Sequence, residues 1–241
     1  MLTWYIGCSG FYYKSWKGAF YPEDLAQKKW FDYYCRYFNT LELNVTFYRF
    51  PQLSFLQNWY AKSPEHFCFA VKAPRTITHY KKFTDTAELL ADFYSVISNG
   101  LQHKLGCVLF QMPPSMMYAE ERLEKIISSL DETFLNVVEF RNASWWRQDV
   151  YDELARHNIS FCGMSHPTLP GDVIANTPHL YYRMHGESQL YASNYSDEQL
   201  EKLASEIKVS KGVKEVYVYF NNDIHAYAID NAQYLQELAK K

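Results

Sequence analysis

Residues 180–185 read LYYRMH, and the alternation of side chains in this stretch decides the fold class. Apolar and polar positions take turns along it: Leu180, Tyr182 and Met184 on one face, and Tyr181, Arg183 and His185 on the other. Successive side chains of a β-strand point to opposite sides of the sheet. In a closed barrel, one side packs against outer helices and the other lines the interior. The stretch therefore predicts a barrel strand that brings polar groups to the barrel interior.

Short apolar runs of this kind recur from one end of the chain to the other. They occupy residues 2–8, 40–46, 67–72, 105–112, 135–141, 159–164, 179–185 and 215–221. Helical periodicity separates most of them, and strands that alternate with helices are typical of a parallel sheet. The sixth connection, 165–178, is the exception because it contains three prolines. We therefore predict an α/β fold: one (β/α)8 TIM-type barrel domain over residues 1–241, with the outer helix after the sixth strand missing or reduced.

Composition narrows the class of protein further. With 241 residues and 48% hydrophobic content, the chain can bury one sizeable core. A formal net charge of -3 excludes a protein that is coated in basic charge. The five cysteines lack paired spacing, which favours buried thiols over disulfides. No targeting or membrane-spanning run is present, so we expect a cytoplasmic protein without a membrane partner, and nothing indicates its oligomeric state.

Polar residues gather at the late positions of the predicted strands. These candidate site residues are Glu42, Asn44, Tyr48, Lys72, Gln111, Glu139, Arg141, Arg183, His185, Asn221 and Asn222. Charges inside a barrel are costly unless they are used or paired, and barrel enzymes carry their working groups at the carboxyl ends of the strands. We predict a ligand site there. The alternative is an internal ion-pair layer, such as Glu139 with Arg183, that only fixes strand register.

The cationic candidates indicate the charge of the ligand. Lys72, Arg141 and Arg183 would form a positive floor, and Arg75 follows the third strand in a loop that also carries His79, Lys81 and Lys82. Guanidinium groups match phosphate and carboxylate geometry. We therefore predict an anionic small-molecule ligand. Simple solvation of the loop lysines is the alternative, and a Schiff-base role for Lys72 is a further alternative to charge pairing.

Three residues are candidates for proton transfer. Glu42 and Glu139 are potential general acids or bases, because neighbouring charges and burial shift carboxyl pKa values in either direction. His185 is the best-placed histidine, at a strand end. Four residues could ligate a metal: Glu42, Glu139, His185 and Asp223. The nearby positive charges of Lys72, Arg141 and Arg183 oppose metal binding. We predict neither a metal nor a cofactor.

Aromatic residues follow two of the strands. Trp145 and Trp146 come after the fifth strand, and a second group follows the first strand: Phe11, Tyr12, Tyr13 and Trp16. Aromatic rings beside cations suit stacking on a nucleobase or a sugar. We therefore include Trp145 among the ligand-binding candidates. A packed lid over the barrel mouth explains the same pattern.

Seven segments together resemble the YecE-like family, also known as domain of unknown function 72. They are GCSGFYYKSWKGAFYP (7–22), LELNVTFYRFP (41–51), FCFAVKAPRTITH (67–79), LFQMPPS (109–115), VEFRNASWW (138–146), YYRMHG (181–186) and YFNNDIHAYAIDNAQYL (219–235). The resemblance spans nearly the whole chain in the family's order. It implies a TIM-type barrel distantly akin to endonuclease-IV-like and xylose-isomerase-like barrels, without an established reaction. Asn142 departs from the histidine that many members carry there.

Three function classes fit these residues. The first is a metal-independent hydrolase or lyase that acts on a phosphate- or carboxylate-bearing substrate. The second is a nucleic-acid binding or processing protein, whose affinity would fall steeply with salt. The third is a non-catalytic sensor, which would bind its ligand and leave it unchanged.

Overall fold

The computed structural model describes residues 2–241 and contains eight strands in one sheet within that range. The strands are β1 Thr3–Cys8, β2 Thr40–Leu43, β3 Cys68–Lys72, β4 Leu105–Gln111, β5 Leu135–Glu139, β6 Ser160–Ser165, β7 His179–Met184 and β8 Glu215–Phe220. Their order in the sheet is β1-β8-β7-β6-β5-β4-β3-β2. A parallel bridge between Ser9 and Glu42 links the two ends of this order. The predicted (β/α)8 TIM-type topology is confirmed.

Helices occupy most of the connections between strands. The α-helices are α1 Trp30–Tyr34, α2 Val45–Tyr48, α3 Leu53–Lys62, α4 Ala87–Leu101, α5 Glu120–Ser129, α6 Gln148–Arg156, α7 Asp197–Val209 and α8 Tyr227–Lys240. Short 3-10 turns lie at Lys14–Trp16, Gln27–Lys29, Gln102–Lys104 and Ala143–Trp145. Residues 166–178 contain no helix, as their prolines predicted. Ser196 and Gln199 form the predicted capping box at the start of α7.

The second strand is shorter than predicted. β2 ends at Leu43, and α2 occupies Val45–Tyr48, where the sequence analysis extended the strand to residue 46. The Thr46 hydroxyl lies 2.9 Å from the Leu43 carbonyl and 2.6 Å from the Lys72 carbonyl. Side-chain bonds of this kind offer the backbone an alternative to a strand ladder. Polar and apolar residues continue to alternate through α2, and this alternation is why the sequence predicts one longer strand.

The chain is divided into two compact units. One comprises the chain up to Glu42 together with Gly163–Lys241, and the other comprises Leu43–Cys162. Within the first, Arg183 of β7 pairs in register with Tyr219 of β8. Within the second, Gln111 of β4 pairs with Glu139 of β5. Each unit thus has aligned strand ends, while the predicted single-domain organisation stays a prediction.

The core confirms the interpretation of the cysteines. Cys8, Cys68, Cys107 and Cys162 are buried in strands outside any disulfide bond, as expected for small apolar side chains. Cys35 is half-buried and is likewise not disulfide-bonded. No helix within residues 2–241 is long and apolar enough to span a membrane.

Candidate functional site

A fully buried carboxylate is at the centre of the polar residues in the first unit. Glu42 Oε1 lies 2.6 Å from Nη2 of Arg183, and Glu42 Oε2 accepts a hydrogen bond of 2.6 Å from the Tyr181 hydroxyl. All three side chains are buried. Tyr181 and Arg183 reach this position because alternate residues of β7 point to the same side. Both carboxylate oxygens are therefore fixed by donors from one strand.

His185 directly follows β7. Its Nε2 lies 3.3 Å from Nη1 of Arg183, and its Nδ1 lies 3.1 Å from the side-chain nitrogen of Asn221. The imidazole is therefore held from both sides by polar side chains. We name Glu42, Tyr181, Arg183, His185 and Asn221 the Glu42 cluster.

A second polar group lies at the strand ends of the other unit. Arg141 forms a close ion pair with Glu139, and both side chains are almost completely buried. The Lys72 ammonium sits 4.4 Å from the centre of the Phe47 ring, a cation–π contact. Arg75 lies between two exposed rings, 5.6 Å from the Tyr48 centroid and 5.3 Å from that of Tyr80. The ion-pair layer considered as an alternative from the sequence paired Glu139 with Arg183. In the structure Glu139 pairs with Arg141, and Glu42 pairs with Arg183.

The pKa of His79 depends on the charges of this second group. Burial lowers its pKa, and the positive charges of Lys72, Arg141 and Arg75 act in the same direction. The Glu139 carboxylate opposes them. Three cations and one carboxylate therefore act on a single half-buried imidazole. We name Lys72, Arg75, His79, Glu139 and Arg141 the Lys72 cluster.

The backbone that presents Arg75 and His79 has an unusual conformation. Residues Thr76–Lys81 form a π-helical turn after β3. Lys82, Phe83 and Asp85 follow with φ values of 48°, 62° and 49°, in the left-handed region. Single π-turns and strained non-glycine residues concentrate at functional sites. The unusual backbone conformation makes the loop after β3 a candidate segment for ligand binding.

The remaining predicted residues divide between surface and interior. Gln111 and Asn44 are half-buried and Tyr48 is 69% exposed. Trp145 is fully buried, stacks on Phe140 at 4.0 Å and donates to the Met116 carbonyl. Asn222 is fully buried and donates to the Ser193 carbonyl and to the Asn231 side chain. The predicted ligand contacts of Trp145 and Asn222 stay predictions.

One contact between distant segments was missed by the sequence analysis. The indole of Trp16, which was interpreted as a loop aromatic, donates to the main-chain carbonyl of Asp223 at 3.1 Å. The two residues are 207 positions apart, and no local pattern joins them. Within residues 2–241, no three His, Cys, Asp or Glu side chains group in a way that could hold a metal ion.

Comparison with known proteins identifies the family. The family described as "Protein of unknown function DUF72" matches residues 5–241. The chain belongs to the DUF72 family. The UPF0759 protein YunF of Bacillus subtilis is 25% identical over 97% of this chain and 94% of its own length. The UPF0759 protein YecE of Escherichia coli K12 is 26% identical over 61% of this chain and 54% of its own length.

A solved structure from the family supports the fold of this DUF72 protein. A DUF72 family protein from Thermotoga maritima is 32% identical and covers 99% of this chain and 100% of its own, with a TM-score of 0.89. A family member from Enterococcus faecalis gives a TM-score of 0.82 at 18% identity, covering 99% of this chain and 96% of its own. The names of these relatives state a family and no reaction.

Proposed function

We propose that this DUF72 protein binds an anionic organic ligand, bearing a phosphate or a carboxylate, at the Lys72 cluster. The observation that carries the proposal is the grouping of basic side chains around neighbouring rings: the Lys72 ammonium lies 4.4 Å from the Phe47 ring, His79 packs on the same ring at 5.0 Å, and Arg75 lies 5.6 Å from the Tyr48 ring. Like charges held close together at low exposure repel each other, and a bound anion relieves that repulsion. Anion binding is the ligand chemistry that this excess of positive charge favours.

The individual side chains suit such a ligand. Arg75 is half-buried beside the exposed Tyr48 and Tyr80, so a ligand from solvent can approach its guanidinium. Lys72 is 8% exposed and supplies a compact positive charge below this rim. Arg141 is oriented by its ion pair with Glu139 and adds a second guanidinium to the cluster. The cluster thus combines the planar charge of guanidinium groups with the compact charge of an ammonium group.

Proton transfer is the chemistry we propose to accompany binding. In a metal-independent hydrolase or lyase, Glu139 is the candidate within the Lys72 cluster, and Glu42 and His185 are the candidates within the Glu42 cluster. His185 supports this role because both of its ring nitrogens lie within hydrogen-bond distance of polar side chains.

Isothermal titration calorimetry with inorganic phosphate tests the binding proposal. We expect saturable binding to the unchanged protein, and at least about tenfold weaker binding to Lys72→Met and Arg75→Met, since a charge-assisted hydrogen bond contributes roughly 1.5–3 kcal/mol. Lys62→Met is the matched control, because Lys62 is an exposed lysine at the end of α3.

Thermal melting of each variant verifies that it folds. The proposal is wrong if phosphate, sulfate and citrate all fail to bind at low salt. It is also wrong if both variants of the Lys72 cluster bind phosphate as tightly as Lys62→Met does.

A further inference from the structure

The guanidinium of Arg75 contacts two aromatic rings that come from different connections of the same unit. Tyr48 is the last residue of α2, and its ring centre lies 5.6 Å from the Arg75 Cζ atom. Tyr80 belongs to the π-helical turn after β3, and its ring centre lies 5.3 Å from the same atom. The connection after β2 and the connection after β3 thus converge on one cation.

The π-helical turn is what brings Tyr80 to Arg75. Backbone hydrogen bonds in a π-helix join residues five positions apart, instead of four as in an α-helix. Arg75 directly precedes the turn, and Tyr80 is five residues further along. An α-helix over the same residues would instead place positions 78 and 79 next to Arg75. The rare turn therefore has a specific effect, which is to place a ring beside the guanidinium.

Both tyrosines keep a large exposed area although they contact Arg75. Tyr48 is 69% exposed and Tyr80 is 65% exposed. Flat rings such as nucleobases stack on tyrosine rings and on arginine guanidinium planes alike. Single exposed aromatic residues are ordinary on protein surfaces, but two that converge on one arginine form a continuous ring-binding surface. We name Tyr48, Arg75 and Tyr80 the Arg75 surface.

The Arg75 surface continues into the rest of the Lys72 cluster. The Tyr48 ring packs edge-on against the Phe47 ring at 5.1 Å, and the Lys72 ammonium lies 4.4 Å from the centre of the Phe47 ring. The Thr46 hydroxyl fixes α2 to the end of β3, because it lies 2.6 Å from the Lys72 main-chain carbonyl oxygen. An anion held by Lys72 and a ring placed on Tyr48 are therefore neighbours.

We propose that the anionic ligand of the Lys72 cluster carries a flat aromatic ring, and that Tyr48 and Tyr80 bind this ring by stacking. Ring binding rests on the proposed function, because the ring lies beside the same cations. Arg75 contributes twice: its charge attracts the anion, and its planar guanidinium extends the surface of the two tyrosine rings. A saturated ring of similar size has no π face and cannot stack in this way. The Arg75 surface therefore distinguishes aromatic from saturated anions.

Matched pairs of ligands test the ring separately from the anion. Phenyl phosphate and cyclohexyl phosphate differ in the aromaticity of a ring attached to the phosphate. Adenosine monophosphate and ribose 5-phosphate differ in a base that is one sugar away from the phosphate. In isothermal titration calorimetry, we expect the aromatic member of at least one pair to bind about fivefold or more tightly than its partner, as one stacked base contributes.

Variants of the two tyrosines show where the ring binds. Tyr48→Leu and Tyr80→Leu should each reduce the preference for the aromatic member, whereas Tyr48→Phe and Tyr80→Phe should keep it, because phenylalanine retains the ring. Tyr37→Leu is the matched control, since Tyr37 is a 43% exposed tyrosine in the other unit. Thermal melting verifies that each variant folds.

Equal affinities within both pairs overturn ring binding, and they leave the anion proposal intact as long as inorganic phosphate binds. A preference for the aromatic member that survives in both leucine variants also overturns ring binding, because the ring then lies elsewhere. If the leucine variants weaken inorganic phosphate and the aromatic ligand by the same factor, the tyrosines only orient Arg75, and ring binding is wrong. Failure of inorganic phosphate and of all four ligands to bind refutes the anion proposal itself.

Discussion

Removing the charge of Glu42 should destabilise the protein strongly. Glu42 and Arg183 are both completely buried and lie 2.6 Å apart. In Glu42→Gln, the amide group has to face either Arg183 or Tyr181, and both of these are donors. Breaking a buried ion pair by removing one partner costs about 3–5 kcal/mol. Domains of this kind have a total free energy of unfolding of about 5–15 kcal/mol, so the loss is a large part of the total.

A double variant separates pairing from simple loss of contacts. Replacing both partners of a buried pair by apolar residues of similar volume is often neutral, so Glu42→Leu with Arg183→Met should recover most of the stability lost in Glu42→Gln. Urea unfolding followed by circular dichroism measures the free energy of each protein. Asp149→Asn is the control, because Asp149 pairs with Arg147 on the surface. A loss below about 1 kcal/mol in Glu42→Gln, the range of exposed pairs, would refute the reasoning.

Three further predictions concern other residues. Burial raises the pKa of Asp223, so its protonated form stabilises the fold at low pH, and this stabilisation is lost as pH rises through the folded pKa. The melting temperature of Asp223→Asn should therefore rise relative to that of the unchanged protein as pH increases. An equal difference in melting temperature at every pH would contradict this. Gly10→Ala should lower the melting temperature, because Gly10 has a φ of 103° and an added Cβ would lie 2.8 Å from the Tyr13 hydroxyl; an unchanged melting temperature would contradict this. Trp145→Ala should lose about 3–5 kcal/mol in urea unfolding, as core tryptophans do, and a loss near zero would reopen a surface role.

Alternation along a strand was sufficient to predict part of the Glu42 cluster. It placed Tyr181, Arg183 and His185 on one face of residues 180–185, and the structure joins the first two through Glu42 and brings His185, which directly follows β7, against Arg183. It also placed Glu139 and Arg141 together, as their ion pair shows. These predictions hold because residues two apart on one strand share a face whatever the rest of the fold does.

Contacts between distant segments could not be predicted in the same way. The partner of Arg183 is Glu42 rather than Glu139, because strand neighbours and stagger decide which carboxylate is within reach. The Trp16 indole meets the Asp223 carbonyl through two loops that follow β1 and β8, and loops have no periodicity to interpret. The burial of Trp145 depends on its stacking against Phe140, which an aromatic pair in sequence does not specify.

Anion binding at the Lys72 cluster is tested most directly by the imidazole inside it. The ¹H NMR signal of His79, assigned with His79→Gln, should titrate below the ordinary value of 6.5 in the absence of ligand. Saturating inorganic phosphate should raise that midpoint, because a bound anion offsets the charges of Lys72, Arg75 and Arg141. A His79 midpoint that stays unchanged while phosphate binds would show that the anion lies elsewhere, and would contradict the proposed function.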